Sequence, residues 1–146
     1  MHYSAVARIE GYRQAMAAAG LEPDVRTIQM KEMLEVNQRI PDEWIFGDGK
    51  PLPDAVFAYD DDLANSIAKL LYRKNIRIPD QIGLAGYNGA YASLSAWRPL
   101  TTMRTPAYEM GYAALELALK IIEGSGQKEV PSVKFRPELV IGESTR

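Results

Sequence analysis

Two places in this chain set polar side chains at the end of an apolar run. Residues 55–59, AVFAY, lead directly into Asp60, Asp61 and Asp62, and residues 82–87, IGLAGY, lead into Asn88 and Gly89. Open parallel sheets bind ligands beyond the carboxyl ends of their strands, so Asp60 and Asn88 are candidate contacts. Carboxylates accept several hydrogen bonds and a carboxamide both donates and accepts, which suits a small ligand rich in polar groups. An acidic triplet also permits magnesium-dependent phosphoryl transfer or receiver chemistry. A receiver needs an aspartate at the neighbouring strand end, however, and Asn88 stands there; no glycine-rich phosphate loop is present either. Each position has a purely local reading. Aspartates opening a helix cap free N–H groups and meet the positive end of its dipole, and at least one of the three is expected to do so. Asn88-Gly89 is a turn signal.

Nucleophilic catalysis has little to work with. The single histidine, His2, lies at the terminus and there is no cysteine, so no Ser-His-Asp or Cys-His arrangement forms and neither disulfides nor thiolate metal sites exist. The chain is expected not to be an enzyme and to need no cofactor.

The elements that position these residues follow from periodicity. Ala5, Ile9, Tyr12, Met16 and Ala19 recur in steps of four and three, giving an amphipathic helix over residues 4–19 that Gly20 stops. Residues 24–29 suit a short strand. MKEMLEVNQRI, residues 30–40, suits a helix, followed by a loop with Pro41, Gly47, Gly49, Pro51 and Pro53. The run 55–59 is expected to be a parallel strand buried on both faces. The aspartates open a helix with Leu63, Ile67, Leu70 and Leu71 on one face, and residues 82–85 return as the next strand, completing a βαβ unit. LTTM, residues 100–103, is a further strand. Thr105-Pro106 starts a helix with a hydroxyl cap and a proline in the first turn. That helix, 106–122, has only Glu116, Lys120 and Glu123 as a polar edge and is apolar on more sides than one core can bury. It is expected to be an interaction surface through which the chain self-associates.

With 146 residues, 47% of them hydrophobic, the chain has the size of one ordinary domain with a real core. A net charge of −2, with 17 scattered basic residues, argues against a nucleic-acid surface of its own. No stretch is long and apolar enough for a membrane span, and residues 1–20 carry Arg8, Glu10 and Arg13 where a signal peptide would be apolar.

The wording of PDAVFAYDDDLA, RIPDQIGLAGYNG and RPLTTMRTP, with ARIEGYRQAM near the start and PELVIGESTR at the end, resembles the effector-binding core of lactose-repressor type (LacI/GalR) transcription regulators. The resemblance implies an α/β fold with a parallel sheet, of the periplasmic-binding-protein-like type I. Residues 1–104 would form the C-terminal subdomain and 105–146 the crossover helix and closing strand. It implies a cytoplasmic homodimer that senses a sugar or sugar acid held between two subdomains. Operator DNA would be reached only through a helix-turn-helix headpiece, which is expected to be absent from this chain. Arg8, three residues before Gly11, corresponds to an effector-contacting arginine of the family, where by itself it would read as a solvated residue pairing with Glu10 or Asp24. Asp60 falls where the family has a ligand-facing asparagine, and Asn88 where it has an aspartate. DDLA, GYNG and LTTMRTP look most like the branch that senses gluconate or related acids. The family's dimer contact would map to residues 65–73 and 91–98, with Leu70, Leu71, Leu94 and Trp97 as apolar contacts. Tyr87, Tyr91 and Trp97 suit core, interface or stacking roles alike. A periplasmic sugar-binding protein shares the fold, but the LTT strand, the TP-started helix and the EST tail favour the regulator.

Overall fold

The computed structural model describes residues 3–27, 40–49, 51–89, 98–123 and 132–146. Helix α1, Tyr3–Ala18, opens the chain, and Gly20, at φ +69°, ends it in the left-handed conformation a helix C-terminus favours. The stripe expected from periodicity is its least exposed side: Ala5, Ile9, Tyr12 and Met16 are half-buried, though Ala19 is exposed and no residue of α1 is fully buried.

The strand expected at 24–29 does not form over 24–27, and residues 28 and 29 lie outside the described residues. Side chains hold this backbone instead. The Asp24 N–H donates to the Tyr12 hydroxyl at 3.3 Å, and Arg26 pairs with Asp24 at 3.0 Å while also donating to the Trp44 carbonyl. The helix expected at 30–40 lies outside the described residues except for Ile40, which is buried in the core. A single turn, α2 (Glu43–Phe46), and a 3₁₀ turn, Gly47–Gly49, follow.

The βαβ unit is present. β1 (Ala55–Phe57) leads into α3 (Asp61–Arg73) and then β2 (Gly83–Asn88), with β1 and β2 parallel in the register Ala55↔Gly83 to Phe57↔Ala85. β3 (Thr101–Arg104) pairs parallel on the other side of β2, and β4 (Glu138–Val140) closes the sheet antiparallel to β3, giving the order β1-β2-β3-β4. β1 is the edge strand among the described residues, and it is not buried on both faces as its composition suggested. Val56 packs against the core, whereas Ala55 and Phe57 are exposed on the opposite face.

The core lies under α3, where Ala64, Ile67, Leu70 and Leu71 meet Ile82 and Leu84, with Ile40, Ile45, Ala58 and Leu100 around them. Leu70 and Leu71 are completely buried, so they are unavailable for the protomer contact the resemblance implied. The heptad spacing of α3 aims both at the sheet, and Tyr72, 74% exposed, is on its outer side. Leu94 and Trp97 lie outside the described residues.

The C-terminal tail is built into the sheet. The Ser144 hydroxyl, buried, donates to the Leu84 carbonyl at 2.6 Å and accepts the Thr101 N–H at 2.8 Å, while the Leu84 N–H donates to the Ser144 carbonyl. Thr101 Oγ1 also lies 2.7 Å from Thr145 Oγ1 and accepts the Gly142 N–H at 3.0 Å. At the sheet's outer edge, Arg104 pairs with Glu138, its register partner, at 2.6 Å. That hydrogen bond and the Glu138 charge raise the Arg104 pKa above its ordinary value.

Helix α4, Ala107–Ile122, starts without the expected hydroxyl cap. Thr105 directs both its N–H and its hydroxyl at the Asn88 carbonyl, at 3.1 and 3.2 Å, so its oxygen is turned toward β2. No residue of α4 is buried, and Tyr108, Tyr112, Leu115, Leu119, Ile121 and Ile122 are each 48–79% exposed. An apolar patch of this extent is expected to drive self-association. Sedimentation at micromolar concentrations should show oligomers for the wild type and a shift toward monomer for Leu115→Glu/Leu119→Glu. Since neither leucine is buried within the chain, the variant should stay folded by circular dichroism, its unfolding midpoint falling only by the stabilisation that association lends the wild type. No helix among the described residues is long and apolar enough to cross a membrane.

Candidate ligand-binding site at the strand ends

Parallel pairing puts the carboxyl ends of β1 and β2 side by side. Phe57 is paired with Ala85, and two residues further along each chain come Tyr59 and Tyr87, followed by Asp60 and Asn88. Arg8 reaches this rim from α1. Its Nη1 donates to the Tyr59 carbonyl and its Nη2 to Asn88 Oδ1 at 3.2 Å. Its guanidinium carbon lies 4.4 Å from the Tyr59 ring centroid and 3.8 Å from that of Tyr87. Each such cation–ring contact contributes about 0.5–1 kcal/mol where solvent reaches it and more when dry, so two ring contacts and two hydrogen bonds together fix the guanidinium. Ser4, one turn earlier, shares a 2.9 Å hydrogen bond with the Tyr59 hydroxyl. The half-buried side of α1 is thus the side that carries Ser4 and Arg8.

The three aspartates take three separate roles. Asp60 is the N-cap of α3, extended at φ −146°, with Oδ1 accepting the Leu63 N–H at 2.8 Å. Such a cap contributes about 1 kcal/mol. Asp61 turns inward, 1% exposed, and accepts a 2.6 Å hydrogen bond from Thr102 Oγ1 on β3. Asp62 is exposed. The triplet therefore does not converge on one point, and among the described residues no group of three or more acidic, histidine or cysteine side chains is placed to hold a metal ion.

Of the residues singled out from sequence, Arg8 and Asn88 are in direct contact although 80 positions apart. Asp60 sits next to Tyr59, whose carbonyl Arg8 holds, with its described hydrogen bond spent on the cap. Tyr87 lies against Arg8 as a stacking face, while Tyr91 and Trp97 lie outside the described residues. Trp44 packs on the core. Tyr59 and Ser4 were missed. Tyr59 counted only as the last residue of an apolar run, and its place immediately before the aspartates at a strand end was the available signal.

Chemically, the rim offers a charged planar donor whose described acceptors, a main-chain carbonyl and an amide oxygen, are both neutral. Two tyrosine rings lie against it, and Asp60 follows Tyr59 in the chain. That combination suits a hydroxyl-rich ligand with an apolar ring face, and a guanidinium whose acceptors among the described residues are neutral also suits a carboxylate.

A family model for the periplasmic binding protein-like domain matches residues 2–145. The HTH-type transcriptional regulator DegA of Bacillus subtilis is 31% identical over 139 residues, an alignment covering 94% of this chain and 40% of that protein. A solved complex of the transcriptional regulator CelR with cellobiose, 26% identical, covers 95% of this chain and 42% of its own, with a TM-score of 0.76. A periplasmic binding protein/LacI transcriptional regulator from Alkaliphilus metalliredigens, complexed with D-xylulofuranose, is 22% identical at a TM-score of 0.83, a likeness of fold. The chain spans less than half the length of the curated relatives it matches.

Proposed function

This chain belongs to the periplasmic binding protein-like domain family in its LacI-type regulator form, and on that premise we propose that it senses a sugar or sugar acid at the rim formed by Arg8, Tyr59, Asp60, Tyr87 and Asn88. The observation that carries this reading is the Arg8 guanidinium, in contact with two tyrosine rings and joining the ends of β1 and β2. Arg8 supplies donors, Asn88 supplies a donor and an acceptor, and Asp60 keeps a second carboxylate oxygen beyond its cap. The neutral acceptors around Arg8 favour an acidic sugar such as gluconate over a neutral hexose.

Residues 1–104 act as one lobe of the effector domain, and α4 with β4 belongs to the passage toward a second lobe. The bare apolar surface of α4 supports that division. Ligand held between lobes shifts their relative position, and in a dimeric regulator this shift changes operator affinity through a separate DNA-binding headpiece. The relatives named above are transcription regulators, which favours this reading over an enzymatic one.

Calorimetric titration of the natural full-length protein with gluconate, a neutral hexose and cellobiose tests the proposal. Arg8→Ala and Asn88→Ala should each weaken binding of the preferred ligand at least tenfold, about the 1.4 kcal/mol expected for a hydrogen bond to a charged group. Asp60→Asn should weaken a neutral sugar and spare an acid. Unchanged affinity in all three variants would remove this rim as the binding site.

A further inference from the structure

We propose that Asn88 and Gly89 form a self-modifying site, at which the Gly89 amide nitrogen displaces the Asn88 side-chain amide and an acidic residue replaces the asparagine. The parts of such a reaction are gathered here. Asn88 is exposed and at φ +104°, and Gly89, at φ +65°, presents no side chain to hinder approach to its nitrogen. Asn88 Oδ1, the oxygen that gains negative charge when its carbon is attacked, already accepts a hydrogen bond from Arg8 Nη2 at 3.2 Å. A fixed guanidinium at that oxygen stabilises the tetrahedral intermediate as an oxyanion donor does. The Gly89 N–H donates to Thr102 Oγ1 at 3.3 Å, and Thr102 Oγ1 donates in turn to the buried Asp61 carboxylate at 2.6 Å. That chain is a route by which Gly89 nitrogen loses its proton as it becomes the nucleophile.

The step balances without any oxidant or outside group. A bond forms between Gly89 nitrogen and Asn88 Cγ, the Cγ–Nδ2 bond breaks, and Nδ2 leaves as ammonia with a proton taken from the solvent around exposed Asn88, in balance with the proton Gly89 passes through Thr102 toward Asp61. Water then opens the five-membered imide. Opening at Cγ yields aspartate; opening at the main-chain carbonyl yields isoaspartate, with the backbone rerouted through the side chain. The aspartate product sets a carboxylate against Arg8 in place of a neutral amide oxygen, turning a hydrogen bond into an ion pair and cancelling the charge offered to an acidic ligand. The isoaspartate product also pulls the Asn88 carbonyl away from Thr105. This consequence for binding rests on the effector reading above, whereas the reaction itself does not.

The test compares rates of conversion. The full chain is incubated at mildly alkaline pH, folded and in urea, and the peptide containing Asn88 is followed by mass, ammonia release and enzymatic isoaspartate labelling. The folded chain should convert several-fold faster than the unfolded one. Arg8→Met, checked for folding by circular dichroism, should lower the folded rate roughly tenfold, as loss of an oxyanion donor at an exposed site would. Asn88→Gln should release no ammonia from this peptide on the same timescale. If the folded chain converts no faster than the unfolded chain, or if folded Arg8→Met converts at the wild-type rate, the proposal is wrong. Thr102→Val provides a second arm: it should slow conversion while leaving Arg8 in place. None of these readouts involves a ligand, so failure here leaves the effector site standing, and failure of ligand binding leaves this chemistry standing.

Discussion

Gly86→Ala is expected to lower the stability of the domain by about 3 kcal/mol, a large part of what a domain of this size has in total. Gly86 lies at the centre of β2, paired with Thr102, directly beneath the start of α3. A methyl group built there would run into Asp61 Oδ1 and lie 2.9 Å from Leu100 Cδ2. Leu100 can yield a little, but Asp61 cannot move without giving up its bond to Thr102 Oγ1 in a buried setting. Overpacking costs about 1–3 kcal/mol and loosening a buried hydrogen bond to a charged group adds about 1.5–3 kcal/mol. Urea unfolding should show a lower midpoint with an unchanged slope. Because Asp61 follows Asp60, the displaced helix start should also disturb the Asp60 cap and, with it, binding at the proposed rim. A midpoint within about 0.5 kcal/mol of wild type would mean that Asp61 does not seat α3 on the sheet. Gly111→Ala is the control. A Cβ at Gly111 meets nothing within 4 Å, and alanine at a helix interior should stabilise by about 0.5–1 kcal/mol.

Gly142→Ala should be at least as damaging, about 3 kcal/mol or more, for a different reason. Its new methyl would meet main-chain atoms, the Pro99 carbonyl oxygen and, at 2.6 Å, the Leu100 carbonyl carbon. Backbone in a sheet cannot swing aside as a side chain can. The tail must then lift, and with it go the Glu143 N–H bond to Pro99 and the Ser144 bridge between Leu84 and Thr101. Ser144→Ala, which removes the bridge without a steric clash, should cost about 2 kcal/mol because it leaves a buried N–H and a buried carbonyl short of partners. Thermal unfolding of both variants measures the difference. If Ser144→Ala is neutral, water replaces the hydroxyl and the tail is less a structural clasp than its hydrogen bonds indicate.

The βαβ unit, the parallel sheet and the helix faces were legible in the sequence because they depend on patterns spanning a few residues. The apolar stripe of α3 and the least exposed side of α1 both fall where periodicity set them, and the apolar excess of α4 is on its surface as expected. Capping by Asp60 was legible for the same reason, since the group it satisfies is three residues away. Where local reading failed, a partner distant in sequence had intervened. The Asn88 carbonyl drew Thr105 away from the cap, the core covered only the Val56 face of β1, and the sheet drew Leu70 and Leu71 inward, away from any protomer contact. The site shows the same division. Sequence supplied Arg8, Asp60 and Asn88 as residue types able to hold a hydroxyl or a carboxylate, and resemblance set them together. Tertiary structure alone decided that Tyr59 and Tyr87 both lie against the guanidinium, that Asp61 is buried against Thr102, and that Gly89 shares that hydrogen-bond chain. Those relations join residues 13 to 79 positions apart, and a contact between distant residues is fixed by the register and packing of the whole sheet, which no short stretch of sequence contains.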